Sequence, residues 1–326
     1  MRILVTGSSG HLGEALMRTL RTQGHDAVGI DRLPSAWTDR VGTLADARFV
    51  HDSVAGADAV LHTATLHKPH VATHTRQEFV DTNVTGTLNI LEACLAHAVK
   101  SLVFTSTTSA FGAALTPPPG APAAWIDESV RAVPKNIYGV TKIAAEDLCE
   151  LFHRRERLPC LILRTSRFFP EADDNPETRA AYADDNTKVN ELLYRRVDIA
   201  DVVSAHLCAL AKATGIGFGR YIVSAPTPFS PAEAAELRRD APAVLARHFP
   251  GYATEYARRG WRMFPDIDRV YSSANALREL GWRPAYGFAE ALMSLQDGRD
   301  YRSALTLTIG IKGYHADTFD QGPYPV

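Results

Sequence analysis

Tyr138 and Lys142 lie four residues apart in the stretch 136–155, which reads as a helix, so both side chains project from one face. The spacing has a chemical use. An ammonium beside a phenol favours the phenolate, lowering a pKa of about 10 so that the group can trade protons near neutrality. Tyr138 is then an acid/base for a substrate hydroxyl whose carbon gives up hydride, and Lys142 also holds a cofactor ribose. Upstream, the strand ending at Phe104 runs into Thr105-Ser106-Thr107-Thr108-Ser109. This run sets several hydroxyls at the C-terminal edge of a sheet, where doubly wound folds bind ligands.

These groups need a scaffold, and the first thirteen residues supply its starting point. Ile3-Leu4-Val5 reads as a strand, Gly7, Gly10 and Gly13 as a turn, and 12–20 as a helix. Gly7 suits a tight turn, Gly10 lets backbone approach a pyrophosphate, and Gly13 lets helix and strand pack closely. The N–H groups at the helix start then face phosphates. The next apolar run ends in Asp31, placed to hydrogen-bond an adenosine ribose.

Further strands are read at 59–64, 101–105 and 160–163, and helices at 76–99, 136–155, 198–213, 230–247 and 275–280. Strands alternating with helices predict a parallel sheet covered on both faces. Beyond about residue 164 the alternation becomes irregular, which suits a smaller lobe closing over the strand ends. The segment 170–185 reads as an acidic loop, 117–122 as a stiff Pro-rich loop, and 296–326 as a tail with no legible chemistry.

The chain has 326 residues and a net charge of −2, which gives no reason to expect nucleic acid or an anionic membrane surface as partner. Small soluble substrates fit better. Four scattered cysteines without a C-x-x-C pair suit a reducing compartment. The absence of a signal peptide, and of any apolar run approaching a membrane span, points to the cytoplasm. His67, His70 and His74 cluster in sequence, but no carboxylate or cysteine completes a metal set, so no metal is expected. Asp198 and Asp201 read as a capping pattern ahead of an apolar helix.

The chain resembles the extended short-chain dehydrogenases/reductases, the NAD-dependent sugar epimerases and dehydratases typified by UDP-galactose 4-epimerase. The motifs that carry the resemblance are Thr6 to Gly13 as T-G-x-x-G-x-x-G, Asp31, His62-Thr63-Ala64, Asn83-Val84-Thr85-Gly86-Thr87 and Ala110-Phe111-Gly112. They continue with Asp127-Glu128-Ser129, Tyr138-x-x-x-Lys142, Val197-Asp198-Ile199-Ala200-Asp201-Val202 and Leu280-Gly281-Trp282-Arg283-Pro284. The resemblance implies a Rossmann-type doubly wound parallel sheet with a smaller, mostly C-terminal substrate lobe. Residues 1–165 would bind NAD, with 196–225 returning to that domain, and 166–195 and 226–295 would form the substrate lobe.

By the same resemblance Thr107, Tyr138 and Lys142 are catalytic. Gly7, Ser9, Gly10, His11, Leu12, Gly13, Asp31, Arg32, Leu44, Thr63, Ala64, Thr65, His67 and Asn83 would contact the cofactor, together with Tyr138 and Lys142. Thr108, Ser109, Arg167, Arg262 and Arg269 are substrate candidates. Asp31 favours NAD, because a carboxylate repels the 2′-phosphate of NADP, while Arg32 beside it keeps NADP open. A homodimer through the helices around 76–99 and 136–155 is the family expectation.

The departures are informative. Arg164-Thr165-Ser166-Arg167-Phe168-Phe169-Pro170 replaces the family's R-x-x-N-x-x-G-P, so Arg167 stands where an Asn helps hold a nucleotide-sugar diphosphate. Arg167 either meets a carboxylate or phosphate or serves the fold. Thr108-Ser109 replaces the Asp-Glu of the dehydratases, which disfavours dehydration. Epimerase and dehydrogenase both stay open, the latter on a sugar acid or another hydroxy compound. A non-catalytic dinucleotide-binding regulator would have no need of the Tyr/Lys/hydroxyl set.

Overall fold

The computed structural model describes residues 1–313. Among them are nine strands, numbered in chain order: β1 (Arg2–Thr6), β2 (Asp26–Asp31), β3 (Arg40–Val41), β4 (Ala59–His62), β5 (Ser101–Thr107), β6 (Ala124–Ile126), β7 (Cys160–Thr165), β8 (Phe218–Val223) and β9 (Arg269–Tyr271). Seven form one parallel sheet in the order β3-β2-β1-β4-β5-β7-β8. The order reverses between β1 and β4, so the crevice of a doubly wound sheet opens beyond the C-terminal end of β1.

The strands are apolar on both sides, and the period of two sorts their side chains. Ile3, Val5, Leu61, Val103, Leu161 and Leu163 face one layer, under the helices His11–Thr22 and Ile199–Ile216. Leu4, Val60, Leu102, Phe104 and Ile162 face the other, under Ala47–Val54, Gly86–Ala96 and Ile137–Glu156. Helix Ile199–Ile216 corrects the reading that no stretch approaches a membrane span, since its 18 residues have a mean hydropathy of 1.3. It serves as a core helix, with Val202, Val203, Ala205 and Ala209 buried against the sheet.

A second apolar core joins Val189, Leu193, Leu237, Val244, Leu245, Tyr256 and Leu292. It is built from the helices Asp184–Glu191, Ala241–His248, Tyr252–Arg259 and Phe288–Gln296, and is capped by the parallel pair β6–β9. The Pro-rich loop leads straight into β6.

Three expectations change. The single helix read at 76–99 is a short helix Arg76–Phe79, a π-helical segment Val80–Thr85 and a helix Gly86–Ala96. The widened turns hold Asn83, whose amide is taken inward to bond both backbone groups of Leu66 at 2.8 and 2.9 Å. The helix read at 230–247 is interrupted, and Asp240 caps a fresh start at Ala241–His248 by accepting from Ala243 N. The acidic stretch contains a helix, Pro176–Ala181, capped by Asn175.

The tail also carries structure up to residue 313. Ser303 caps the helix Ala304–Ile309, which packs on His11–Thr22 and Ile199–Ile216. Asp198 accepts from Ala200 N at the start of helix Ile199–Ile216 and also holds Ser303 and Thr306, while Asp201 accepts from Ala285 N and Tyr286 N. Residues 314–326 of the predicted tail lie outside the described residues.

Candidate active site

The loop after β1 is shaped by its glycines in different ways. Gly7 has φ +75°, and a Cβ there would lie 2.8 Å from Ala64 N; a Cβ on Gly13 would lie 1.9 Å from Gly7 O. Both positions are closed to side chains by packing. A Cβ on Gly10 would meet only Gly7 O, at 3.3 Å, so this backbone is open to an incoming group. Helix His11–Thr22 starts without a side-chain cap, leaving its first N–H groups for an anion. That arrangement fits a dinucleotide diphosphate.

Asp31 ends β2 and accepts from Ser9 N at 3.0 Å and from Leu33 N at 2.9 Å. The same carboxylate therefore shapes the loop and lines the cleft. Arg32, Leu44, Thr63, Ala64, Thr65 and His67 line that cleft, with Ser9, Gly10, His11 and Leu12. Its volume is about 1720 Å³, and it runs without interruption from the glycine loop to Tyr138.

Asn83 sits elsewhere. It is 3% exposed, absent from the cleft wall, and bonded to Leu66 and to Thr141 Oγ1 at 3.0 Å. Its role in this geometry is to hold the segment after β4 against the tyrosine helix. His62 is likewise structural, lying between Thr6 Oγ1 at 2.7 Å and Thr87 Oγ1 at 3.0 Å, and burial holds its pKa down at about 3.

Thr107 ends β5, and Tyr138 lies in the first turn of Ile137–Glu156, capped by Asn136. The Thr107 hydroxyl lies close enough to the phenol to oppose the rise in its pKa and accepts from Ser109 N at 3.0 Å. Burial pushes the Tyr138 pKa up to about 12, with Thr107 opposing. One turn on, Lys142 is 2% exposed; Nζ donates to Thr105 O at 2.6 Å and lies 3.9 Å from the Phe104 ring centroid. Burial pushes its pKa down to about 7, against the pull of Glu146.

The shared helix face is as expected, but the expected lowering of the phenol pKa by the lysine is not what the geometry produces. Desolvation dominates at both groups, opposed at Tyr138 by the Thr107 hydroxyl and at Lys142 by the Glu146 charge. Beneath Lys142, Glu146 accepts from Ser106 Oγ at 2.6 Å, from Arg164 at 2.7 Å and from Arg220 at 3.1 Å. No sequence motif announced this buried carboxylate; its only signal was its place one further turn along the Tyr138 and Lys142 face.

On the far side of the cleft, Thr108 is buried near Thr165 O at 3.4 Å, and Ser109 lines the wall. Arg167 reaches the wall too, but carboxylates take up its charge: Asp173, Asp174 at 2.8 Å and Glu191 at 3.4 Å. Glu191 also holds Arg195 and Arg196, each at 2.7 Å. Burial raises its pKa, yet the three arginines overcome that and hold it at about 2. Asp174 is lowered as well, with Arg167 and Lys68 outweighing burial.

Arg262 does not reach the cleft. It donates to Ala181 O at 3.0 Å and stacks over Tyr182 at 4.8 Å. Arg269 does line it, from β9, paired with Asp268 at 2.8 Å, and its buried Nε has no hydrogen-bond partner among the described residues. Arg195 shows the same feature at Nε and shares the wall. The sequence reading missed Arg195, because nothing in local spacing distinguishes it from Arg196. His67, His70 and His74 stack edge to face, with centroids 4.6 and 4.9 Å apart.

Comparison with known proteins gives the family and the fold. The model of the "NAD dependent epimerase/dehydratase family" matches residues 3–223. UDP-glucose 4-epimerase of Halalkalibacterium halodurans is 26% identical over 90% of this chain and 93% of its own length. Uronate dehydrogenase of Pseudomonas syringae pv. tomato is 28% identical over 62% of this chain and 72% of its own. A short-chain dehydrogenase/reductase superfamily protein from Agrobacterium tumefaciens, solved with bound NAD, has the same fold, with a TM-score of 0.65, 24% identity and coverage of 91% of this chain and 96% of that one.

Proposed function

Because the chain belongs to the NAD-dependent epimerase/dehydratase family, we propose that it catalyses NAD-dependent hydride transfer at a secondary alcohol carbon of a sugar. The observation that carries this reading is the placing of Thr107 and Tyr138 together in the wall of the cleft that begins at the glycine loop. Thr107 and Tyr138 hold the substrate oxygen, and Tyr138 takes its proton as the carbon is oxidised. Lys142, anchored on Thr105 O, keeps a positive charge below the phenol and holds the nicotinamide ribose. Gly10 and the start of helix His11–Thr22 receive the diphosphate, and Asp31 the adenosine ribose. NAD supplies the acceptor for the hydride.

Within this reading a sugar acid is favoured over a nucleotide sugar. Arg262, one candidate for a diphosphate, is turned onto Tyr182, and Arg167 is engaged by three carboxylates. Arg195 and Arg269 bring guanidinium charge to the cleft wall, each partly balanced by a carboxylate, which suits one carboxylate better than an extended diphosphate. Dehydrogenation then releases the oxidised product and reduced cofactor.

The near-ultraviolet absorbance of reduced nicotinamide tests both readings, with NAD and a panel of sugars, sugar acids and nucleotide sugars. Growth of free NADH with a sugar acid supports the dehydrogenase, and a configuration change by NMR without net NADH supports an epimerase. Tyr138→Phe should abolish either activity, by a factor of about 10²–10⁴, while NAD affinity is retained. A sugar turned over equally well by Tyr138→Phe overturns the assignment.

The boundaries 1–165 with 196–225, and 166–195 with 226–295, remain our division into cofactor and substrate lobes. A cytoplasmic homodimer belongs to the same proposal. It is supported by four unpaired cysteines and by the exposed Val140 and Leu151 on the tyrosine helix, and sedimentation velocity tests the dimer.

A further inference from the structure

The segment after helix Ala304–Ile309 returns to the dinucleotide loop. Lys312 Nζ donates to Ser9 O at 2.9 Å and to the Glu14 carboxylate, and Lys312 and Gly313 both line the cleft. Glu171 fastens the same segment from the other side. Its Oε1 accepts from the backbone N of Lys312 and of Gly313, each at 3.3 Å, and lies 2.7 Å from His11 Nε2.

Two buried carboxylates therefore stand beside the loop that receives a diphosphate. Glu14 is 8% exposed and Glu171 7% exposed, and Glu14 lies in the first turn of the helix whose N-terminus faces the anion. Left uncompensated, Glu14 would repel phosphate across a poorly screened gap. Arg18 Nε answers part of that charge at 2.7 Å, and Lys312 answers it from the cleft side.

We propose that Lys312 is a cofactor-positioning residue, carried by a C-terminal strap to the rim of the glycine loop, where it neutralises Glu14 and offers a cation to the cofactor diphosphate. An ammonium has three N–H donors. Ser9 O and Glu14 take two, which leaves one for a phosphate oxygen. The strap thus joins residues at opposite ends of the chain, and cofactor affinity depends on a segment outside the glycine motif.

The test is equilibrium binding to the full chain with ADP-ribose, which carries the diphosphate, and adenosine, which does not. Lys312→Gln keeps a donor for Ser9 O and loses the charge. The expected result is a Kd for ADP-ribose and NAD raised by about tenfold or more, with adenosine unchanged. Lys312→Arg should stay within about threefold of the parent, and adding Glu14→Gln to Lys312→Gln should recover part of the loss by removing the uncompensated carboxylate. An unchanged Kd for ADP-ribose overturns the proposal. Equal losses for adenosine and ADP-ribose overturn it too, since the strap would then act only as a structural latch. If Lys312→Gln does not fold, Lys312→Arg and Glu14→Gln on the parent chain decide. Glu14→Gln should tighten ADP-ribose selectively over adenosine, and a matched change for both ligands refutes the charge argument.

Discussion

Replacing Glu146 with Gln removes the negative charge that opposes the effect of burial on Lys142. The carboxylate lies one helical turn beyond the lysine and opposes the burial that pulls its pKa down to about 7. At roughly 6 Å for positions i and i+4, and with an effective dielectric constant of about 20, loss of one unit charge changes the ammonium's energy by about 2.8 kcal/mol. That is about 2 pK units, so the Lys142 pKa should fall to about 5 and its protonated fraction at neutrality from about half to about one in a hundred.

The assay is the pH profile of kcat/KM, measured well below the unfolding temperature. Glu146→Gln also leaves Arg164 and Arg220 short of a carboxylate, and breaking a buried pair of this kind costs about 3–5 kcal/mol of stability. The limb assigned to Lys142 should move about 2 units toward acid, with a loss of about fiftyfold at neutral pH. The reasoning fails if that limb stays in place in a protein shown to be folded, or if the shift survives unchanged when Lys142 is also replaced by Met.

Two further substitutions test the cofactor half. Asp31→Ser removes the acceptor for the adenosine ribose and the negative charge beside Arg32; NAD should weaken by about tenfold and NADP should gain relative to it, measured by competitive titration, and an unchanged preference counts against the assignment. Gly13→Ala drives a Cβ to within 1.9 Å of Gly7 O unless the helix moves, so the unfolding temperature should drop by about 5 °C or more and NAD binding should weaken with it. A variant with parental stability would mean that the strand-to-helix contact is softer than its geometry.

Much of this protein follows from spacing along the chain. The alternation of β1, β4 and β5 between two apolar layers, the glycine loop, Asp31 at the end of β2 and the common face of Tyr138 and Lys142 all arise from local periodicity, which backbone geometry turns directly into direction. Thr107 needed the family pattern as well, because five neighbouring hydroxyls compete for its role. What packing alone decided is of another kind. Asn83 is spent on Leu66 and Thr141, Arg167 on three carboxylates and Arg262 on Tyr182, while Arg195 and Arg269 reach the cleft. Burial raises the Tyr138 pKa where spacing alone led to the expectation of a lowered one, and Lys312 meets Glu14 across 298 residues of sequence. Desolvation and charge pairing depend on which distant segments close over a group, and no spacing within one segment encodes that.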